Sequence, residues 1–153
     1  MKVKIRPARE FDLPEVLSIE NRAINLETEK TLSNAYNNPN YYIFVAEAVN
    51  ENDDKAIIGF VELSLSYDES EIISIAVDER FRHQKVATNL LNVSFDKLAG
   101  LGAKKTFLDV RASNDAAISL YALFDFKKLT VRKNYYKNAD GTKEDALVLI
   151  KQL

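Results

Sequence analysis

The sequence predicts an α+β layered domain, a mixed and mostly antiparallel sheet flanked by helices in the order β-α-α-β-β-β-α-β-α-β-β. Three observations predict it. Residues 42–48 and 56–67 are two strand-like runs joined by the charged loop NENDDK, the pattern of an antiparallel hairpin. Residues 71–77 form an apolar, β-branched run that suits a buried strand. Val86, Leu90, Leu91 and Val93 then recur at helical spacing before a further strand at residues 106–110. That sequence of elements makes a β-α-β crossover in the middle of the sheet.

Each element has a local reason. Residues 3–6 alternate charged and apolar side chains and read as a first strand. Asp12 is placed to cap a helix, with Pro14 just inside and Glu15 three residues on, running to about Ala23. A weaker helix is expected over residues 30–37, ended by the turn NNPN. The crossover helix runs from Val86 to Leu98 and meets Gly100 and Gly102, both helix-stop residues. Asn114 caps a further helix that ends near Phe124. Residues 127–132 and 145–150 are the last two strands, with the polar NADGTK segment as their hairpin loop.

Composition narrows the chemistry. At 153 residues the chain is long enough to bury a core of its own and is expected to form one domain, 1–153. A hydrophobic share of 46% and a charged share of 29% are those of a soluble globular protein. The formal charge of −2 argues against direct nucleic-acid binding. With no cysteine and one histidine, disulfides, thiolate nucleophiles and Cys/His metal sites are excluded, and no metal is expected. The N-terminal MKVKIRPARE lacks the apolar core of a signal peptide, and no run reaches membrane-spanning length. A cytoplasmic protein with no membrane partner is expected.

Four groups of residues are candidates for chemistry. The first is Arg80, Arg82, His83 and Lys85, crowded where a helix begins. Cations there oppose the positive end of the helix dipole, by about 0.3–1 kcal/mol each when exposed. An anion held by the free N–H groups from about Arg82 to Thr88 gives that crowding a purpose, and small Ala87 admits it closely. A solvated basic turn is the other reading. The second is Asp109, sharing a strand face with Phe107 and Arg111: a general base, directly or through water, or an ion-pair partner for Arg111 or another nearby cation. The third is Asn114 with Tyr121, a helix cap and a core tyrosine, or a phenol able to give a proton to a leaving group. The fourth is Asn134, Tyr135 and Tyr136. Adjacent tyrosines on a strand should face opposite ways, leaving at least one exposed for recognition or for edge packing.

Carried by ISIAV, RFRHQKVATNLL, FLDVRASNDAAISLYALFDF and VRKNYYKNADGTKEDALVL, the chain resembles the GNAT superfamily of acyl-CoA-dependent N-acetyltransferases. Within it the resemblance is to the ribosomal-protein alanine N-acetyltransferases of the RimI type. Residues 108–147, with LDVRASN, LY, RKNYY and EDA, are the most specific part.

The resemblance implies transfer of acetyl from acetyl-CoA to a protein's N-terminal α-amine, a ribosomal protein being one such acceptor. It implies that Arg82, His83, Gln84, Lys85, Val86, Ala87 and Thr88 hold the pyrophosphate, with Arg82 and Ala87 matching the family's loop pattern. Lys85 stands at its first glycine position. Ile75, Ala76 and Val77 would line the co-substrate, with a backbone N–H near Val77 polarising the thioester carbonyl, and Asn114 would contact the CoA arm. Asp109 stands where the family usually has a glutamate base, and Tyr121 where it has its general acid. Asn25, Leu26 and Glu27, with Asn134, Tyr135 and Tyr136, would wall the peptide site. Asp125 replaces a common glycine and is expected in a left-handed C-cap. Two other readings remain at this stage: acetylation of a small amine or amino acid, and acyl-CoA binding without catalysis.

Overall fold

The structure is a computed structural model and describes residues 1–24 and 36–153. Its strands are β1 (Lys2–Pro7), β2 (Tyr41–Val49), β3 (Lys55–Ser66), β4 (Glu69–Val77), β5 (Lys105–Arg111), β6 (Lys127–Lys137) and β7 (Lys143–Gln152). They form one seven-stranded sheet in the order β1-β2-β3-β4-β5-β7-β6. The β4–β5 pair is parallel and every other pair is antiparallel. Three helices flank it among the described residues: α1 (Leu13–Ile24), α2 (Val86–Gly100) and α3 (Asp115–Leu123). None is long and apolar enough to cross a membrane.

Strand periodicity sorts the side chains into two cores. Ile43, Val45, Phe60 and Ala76 face Leu13, Val16 and Ile19 of α1. Their sequence neighbours Phe44, Ala46, Val61 and Leu63 face the other way, against Leu90, Leu91 and Phe95 of α2 and Tyr121 of α3. The layers are therefore α1, sheet, then α2 with α3.

The feature that positions a site is where β4 and β5 part. They pair only through Glu69–Lys105, Ser70–Thr106 and Glu71–Phe107. Beyond that rung β4 continues on β3 to Val77, while β5 continues on β7 to Arg111. A bulge in β4, where Glu62 pairs with Ser74 but Leu63 with Ile72, bends the strand as it leaves. The sheet is left open at the carboxyl ends of its one parallel pair, with backbone groups of β4 free to bind.

Two expectations are corrected. Asp12 does not cap α1 with its side chain. It closes a short 3₁₀ turn, accepting from the Arg9 N–H at 2.7 Å, and its two oxygens bind the Arg6 guanidinium at 2.7 and 2.9 Å. A buried cation on β1 outcompetes the helix end for the carboxylate, and Glu47 joins it at 2.9 Å. Tyr135 and Tyr136 do not face opposite ways either. Five residues of β6, Arg132 to Tyr136, stand against three of β7, Glu144 to Ala146, and Asn134 takes φ 53. This double bulge rotates the strand and sets the two rings edge to face, 5.0 Å apart. The helix expected over residues 30–37 lies largely outside the described residues.

Candidate active site

The basic loop lies between β4 and α2. Asp78 closes a 3₁₀ turn by accepting from the Arg80 N–H at 3.0 Å and binding the Arg80 side chain at 3.2 and 3.0 Å. Arg82, His83, Gln84 and Lys85 follow as an exposed turn, in which His83 and Lys85 both have φ 62. Lys85 is the N-cap of α2, and no side chain caps that end. The first-turn N–H groups of Val86, Ala87 and Thr88 have no intrahelical acceptor by the geometry of any helix start. Paired left-handed residues turn successive N–H groups toward one point, the arrangement that cradles an anion. The donors present fit a diphosphate.

Ile75, Ala76 and Val77 run along β4 beside the opening, with Ile75 and Val77 on the α2 side and Ala76 under α1. Gly59 sits behind them, and a Cβ there would meet the Ala76 carbonyl oxygen at 3.1 Å. Across the opening, Asp109 of β5 faces the α1 side, opposite in phase to Leu108 and Val110. Its nearest cation is Arg132 of β6, Nε to Oδ1 at 3.4 Å, rather than Arg111. Asn114 uses its side-chain oxygen to cap α3, accepting from the Ala117 N–H at 3.1 Å.

Tyr121 is buried against Phe126, ring centroids 5.5 Å apart. Burial, with a contribution from Tyr136, pushes its phenol up to about 12, so it stays protonated at neutral pH. Tyr136 is likewise pushed up to about 12 by burial and then by the charge of Asp109. Tyr136 thus lies within the field of Asp109, and Tyr121 within that of Tyr136.

Asn134, Tyr135 and Tyr136 occupy the β6 bulge, and the acidic pair at the start of β7 holds it. Asp145 accepts from the Asn134 N–H at 2.9 Å, which supports the left-handed backbone there. Glu144 binds Arg111 at 3.0 Å and accepts from the Ser113 N–H at 2.9 Å, while the Arg111 guanidinium lies 4.4 Å from the Tyr136 ring centre. The EDA and NYY motifs are one network that fixes the tyrosines beside the end of β5. Asn25, Leu26 and Glu27 lie outside the described residues.

Comparison with known proteins identifies the family. The model of the acetyltransferase (GNAT) family matches residues 9–126. The chain belongs to the GNAT family. It is 36% identical over 139 residues to the ribosomal protein bS18-alanine N-acetyltransferase of Escherichia coli K12, covering 90% of this chain and 89% of that protein. The crystal structure of the ribosomal-protein-S18-alanine N-acetyltransferase from E. coli superposes with a TM-score of 0.87 at 32% identity, covering 99% of this chain and 94% of that one. Arabidopsis thaliana NAA60 in complex with acetyl-CoA shares the fold at 19% identity, with a TM-score of 0.87 over 99% of each chain.

The GNAT chain also brings near Asp109 side chains that the sequence did not single out, Glu71 on β4 and Arg132 on β6, with buried Glu62 of β3 near Glu71. Glu62 carried a signal, a charge in the middle of the apolar run IIGFVELSL. Glu71 and Arg132 carried none, since both read as ordinary strand residues. Among the described residues no group of three or more His, Asp or Glu is arranged to hold a metal.

Proposed function

We propose that this acetyltransferase carries acetyl from acetyl-CoA to the N-terminal α-amine of a protein, a ribosomal protein being the leading class of acceptor. The 153 residues act as one domain and work in the cytoplasm. The observation that carries the reading is the parting of β4 and β5, with an uncapped helix N-terminus on one side and Asp109 on the other. The loop from Arg82 to Thr88 would hold the diphosphate, the open edge from Ile75 to Val77 the thioester arm, and Asn114 would add its amide N–H₂ group. Bound there, acetyl-CoA supplies an activated acetyl thioester.

The chain's own residues do the rest. A backbone N–H near Val77 donates to the thioester carbonyl oxygen as negative charge develops on it. Asp109 accepts a proton from the substrate amine through water. Tyr121, protonated at neutral pH, donates to the departing sulfur. The bulge of Asn134, Tyr135 and Tyr136, with Asn25, Leu26 and Glu27, walls the acceptor peptide, which attacks directly in a ternary complex.

The acceptor follows from proton arithmetic. Deprotonating an α-amine of pKa about 8 costs roughly 1.4 kcal/mol at pH 7, and a lysine of about 10.4 roughly 4.6. A carboxylate acting through water is adequate for the first and weak for the second. Similarity to an N-terminal alanine acetyltransferase supports the same choice over a small amine.

The test is transfer from acetyl-CoA to a peptide beginning with alanine, located by mass spectrometry. Acetyl is expected on the α-amine and not on an internal lysine. Tyr121→Phe is expected to lower kcat about 100-fold or more. Unchanged kcat removes Tyr121 from the mechanism, and acetylation of free amines in preference to peptides refutes the acceptor.

A further inference from the structure

β6 is the last strand of the sheet, and its outer edge has no neighbouring strand among the described residues. Alternate N–H and C=O groups of such a strand point away from its one partner, β7, and are left for another chain. Its sequence is KKLTVRKNYYK, five cations and no acid, in a chain whose formal charge is −2. Asp109 and Asp145 bind Arg132 and Lys133. Lys127, Lys128 and Lys137 are exposed and make no ion pair among the described residues.

Register puts the cations on both faces. Lys127 pairs with Ile150 and Arg132 with Ala146, on the face of Asp109, while Lys128 pairs with Leu149, on the face of α2. Leu129 stands out of the same strand at 56% exposure. Lysines on an edge ordinarily keep it from pairing with a second copy, because like charges would then face each other. That role does not account for the open apolar side chain of Leu129, nor for the strand's continuity with the bulge at Asn134, Tyr135 and Tyr136. On the α1 side, β5, β7 and β6 contribute no residue to the core under that helix. From Asp109 across β7 to the free side of β6 is three strand spacings, about 14 Å, which four or five extended residues cover.

We propose that the acceptor protein, from about its sixth residue on, adds as an antiparallel strand to the free edge of β6, and that this edge selects acceptors with acidic side chains there. The proposal rests on transfer to a protein α-amine and adds the charge of the acceptor that is chosen. An acceptor whose N-terminus lies at the opening reaches β6 near Arg132 and runs toward Lys127, opposite in direction to β6 itself. Its backbone meets the free N–H and C=O groups, and carboxylates on its two faces meet Lys127 and Lys128. A second copy of this chain would bring five cations against five. A nucleic acid would answer the charge and leave the backbone groups of the edge without a ladder.

The experiment compares alanine-initiated peptides of about twelve residues that share their first four and carry glutamate or lysine beyond the fifth. The shared tetrapeptide is the control. At low ionic strength the acidic peptide is expected to exceed the basic one about 10-fold or more in kcat/KM, through KM, with the difference shrinking in high salt. The double variant Lys127→Glu, Lys128→Glu is expected to prefer the basic peptide and to turn over the tetrapeptide as wild type does. Amide hydrogen exchange of residues 127–132 is expected to slow when the acidic peptide binds. Equal KM for the two long peptides, or an acidic preference that the double variant keeps, overturns the selection. Acidic preference with unchanged exchange overturns the strand pairing. A single-stranded RNA of similar length that displaces the acidic peptide from β6 overturns the choice of occupant. A wild-type protein that acetylates no alanine-initiated peptide refutes the proposed function instead, and slowed exchange in β6 with the acidic peptide then still supports the docking.

Discussion

Lys85→Gly separates the strain of the phosphate loop from its charge. Lys85 holds φ 62 and ψ 19 at the N-cap of α2, a left-handed conformation that costs a non-glycine residue about 1–2 kcal/mol. Its ammonium also opposes the positive end of the helix dipole, by about 0.3–1 kcal/mol. Glycine removes both terms but gains freedom in the unfolded chain, roughly 0.4–1 kcal/mol in the other direction. The net is stabilisation of about 1 kcal/mol, a rise in melting temperature of about 2–4 °C for a chain of this size. Lys85→Ala removes the charge and keeps the strain, so its gain is confined to the dipole term. Urea unfolding and thermal melts of the three proteins without ligand make the measurement. Acetyl-CoA affinity should move the opposite way, falling several-fold at low ionic strength and less in high salt. A Lys85→Gly protein that melts below wild type, or an alanine variant that matches it, refutes the reasoning.

Asp78 anchors the same loop, and its bonds to Arg80 hold its carboxyl at about 2 against an ordinary 3.8. A depressed folded-state pKa contributes stability that is present above about pH 4 and is lost as pH falls toward 2. Asp78→Asn should therefore flatten stability against pH in that window and reduce it near neutrality by about 1 kcal/mol, a figure discounted because Arg80 is exposed; denaturant midpoints from pH 2 to pH 7 check this. Gly59→Ala should destabilise by about 1–3 kcal/mol. The added methyl meets the Ala76 carbonyl at 3.1 Å and side chains of Leu90 and Val77 at 3.4 Å. Because those residues border the opening, acetyl-CoA affinity measured by calorimetry should fall with stability.

Much of the fold was legible in the sequence. Period-two alternation marked β1, β2 and β3, an apolar β-branched run marked β4, and helical spacing marked α2 and α3, while β6, read as residues 127–132, runs on to Lys137. Asn114 caps α3, and Asp125 has φ 66, the left-handed backbone expected of it. These signals are local: each is set by a residue's own backbone preference or by neighbours three or four positions away. Motif resemblance named candidate residues for the site on the same local terms.

What the sequence left open was decided by contacts distant along the chain. Asp12 looked like a helix cap, but it binds Arg6 of β1, which Glu47 of β2 also holds. Asp109 had Arg111 two residues away and pairs instead with Arg132 from β6. Tyr135 and Tyr136 share a contact only because β6 bulges against β7. The opening between β4 and β5, and the carboxylates that gather at it, depend on how many rungs those strands share before a bulge bends one away. Register and bulges are settled by the packing of both sheet faces at once. The sequence alone determined which segments are strands and helices, and the tertiary structure decided which charges would meet.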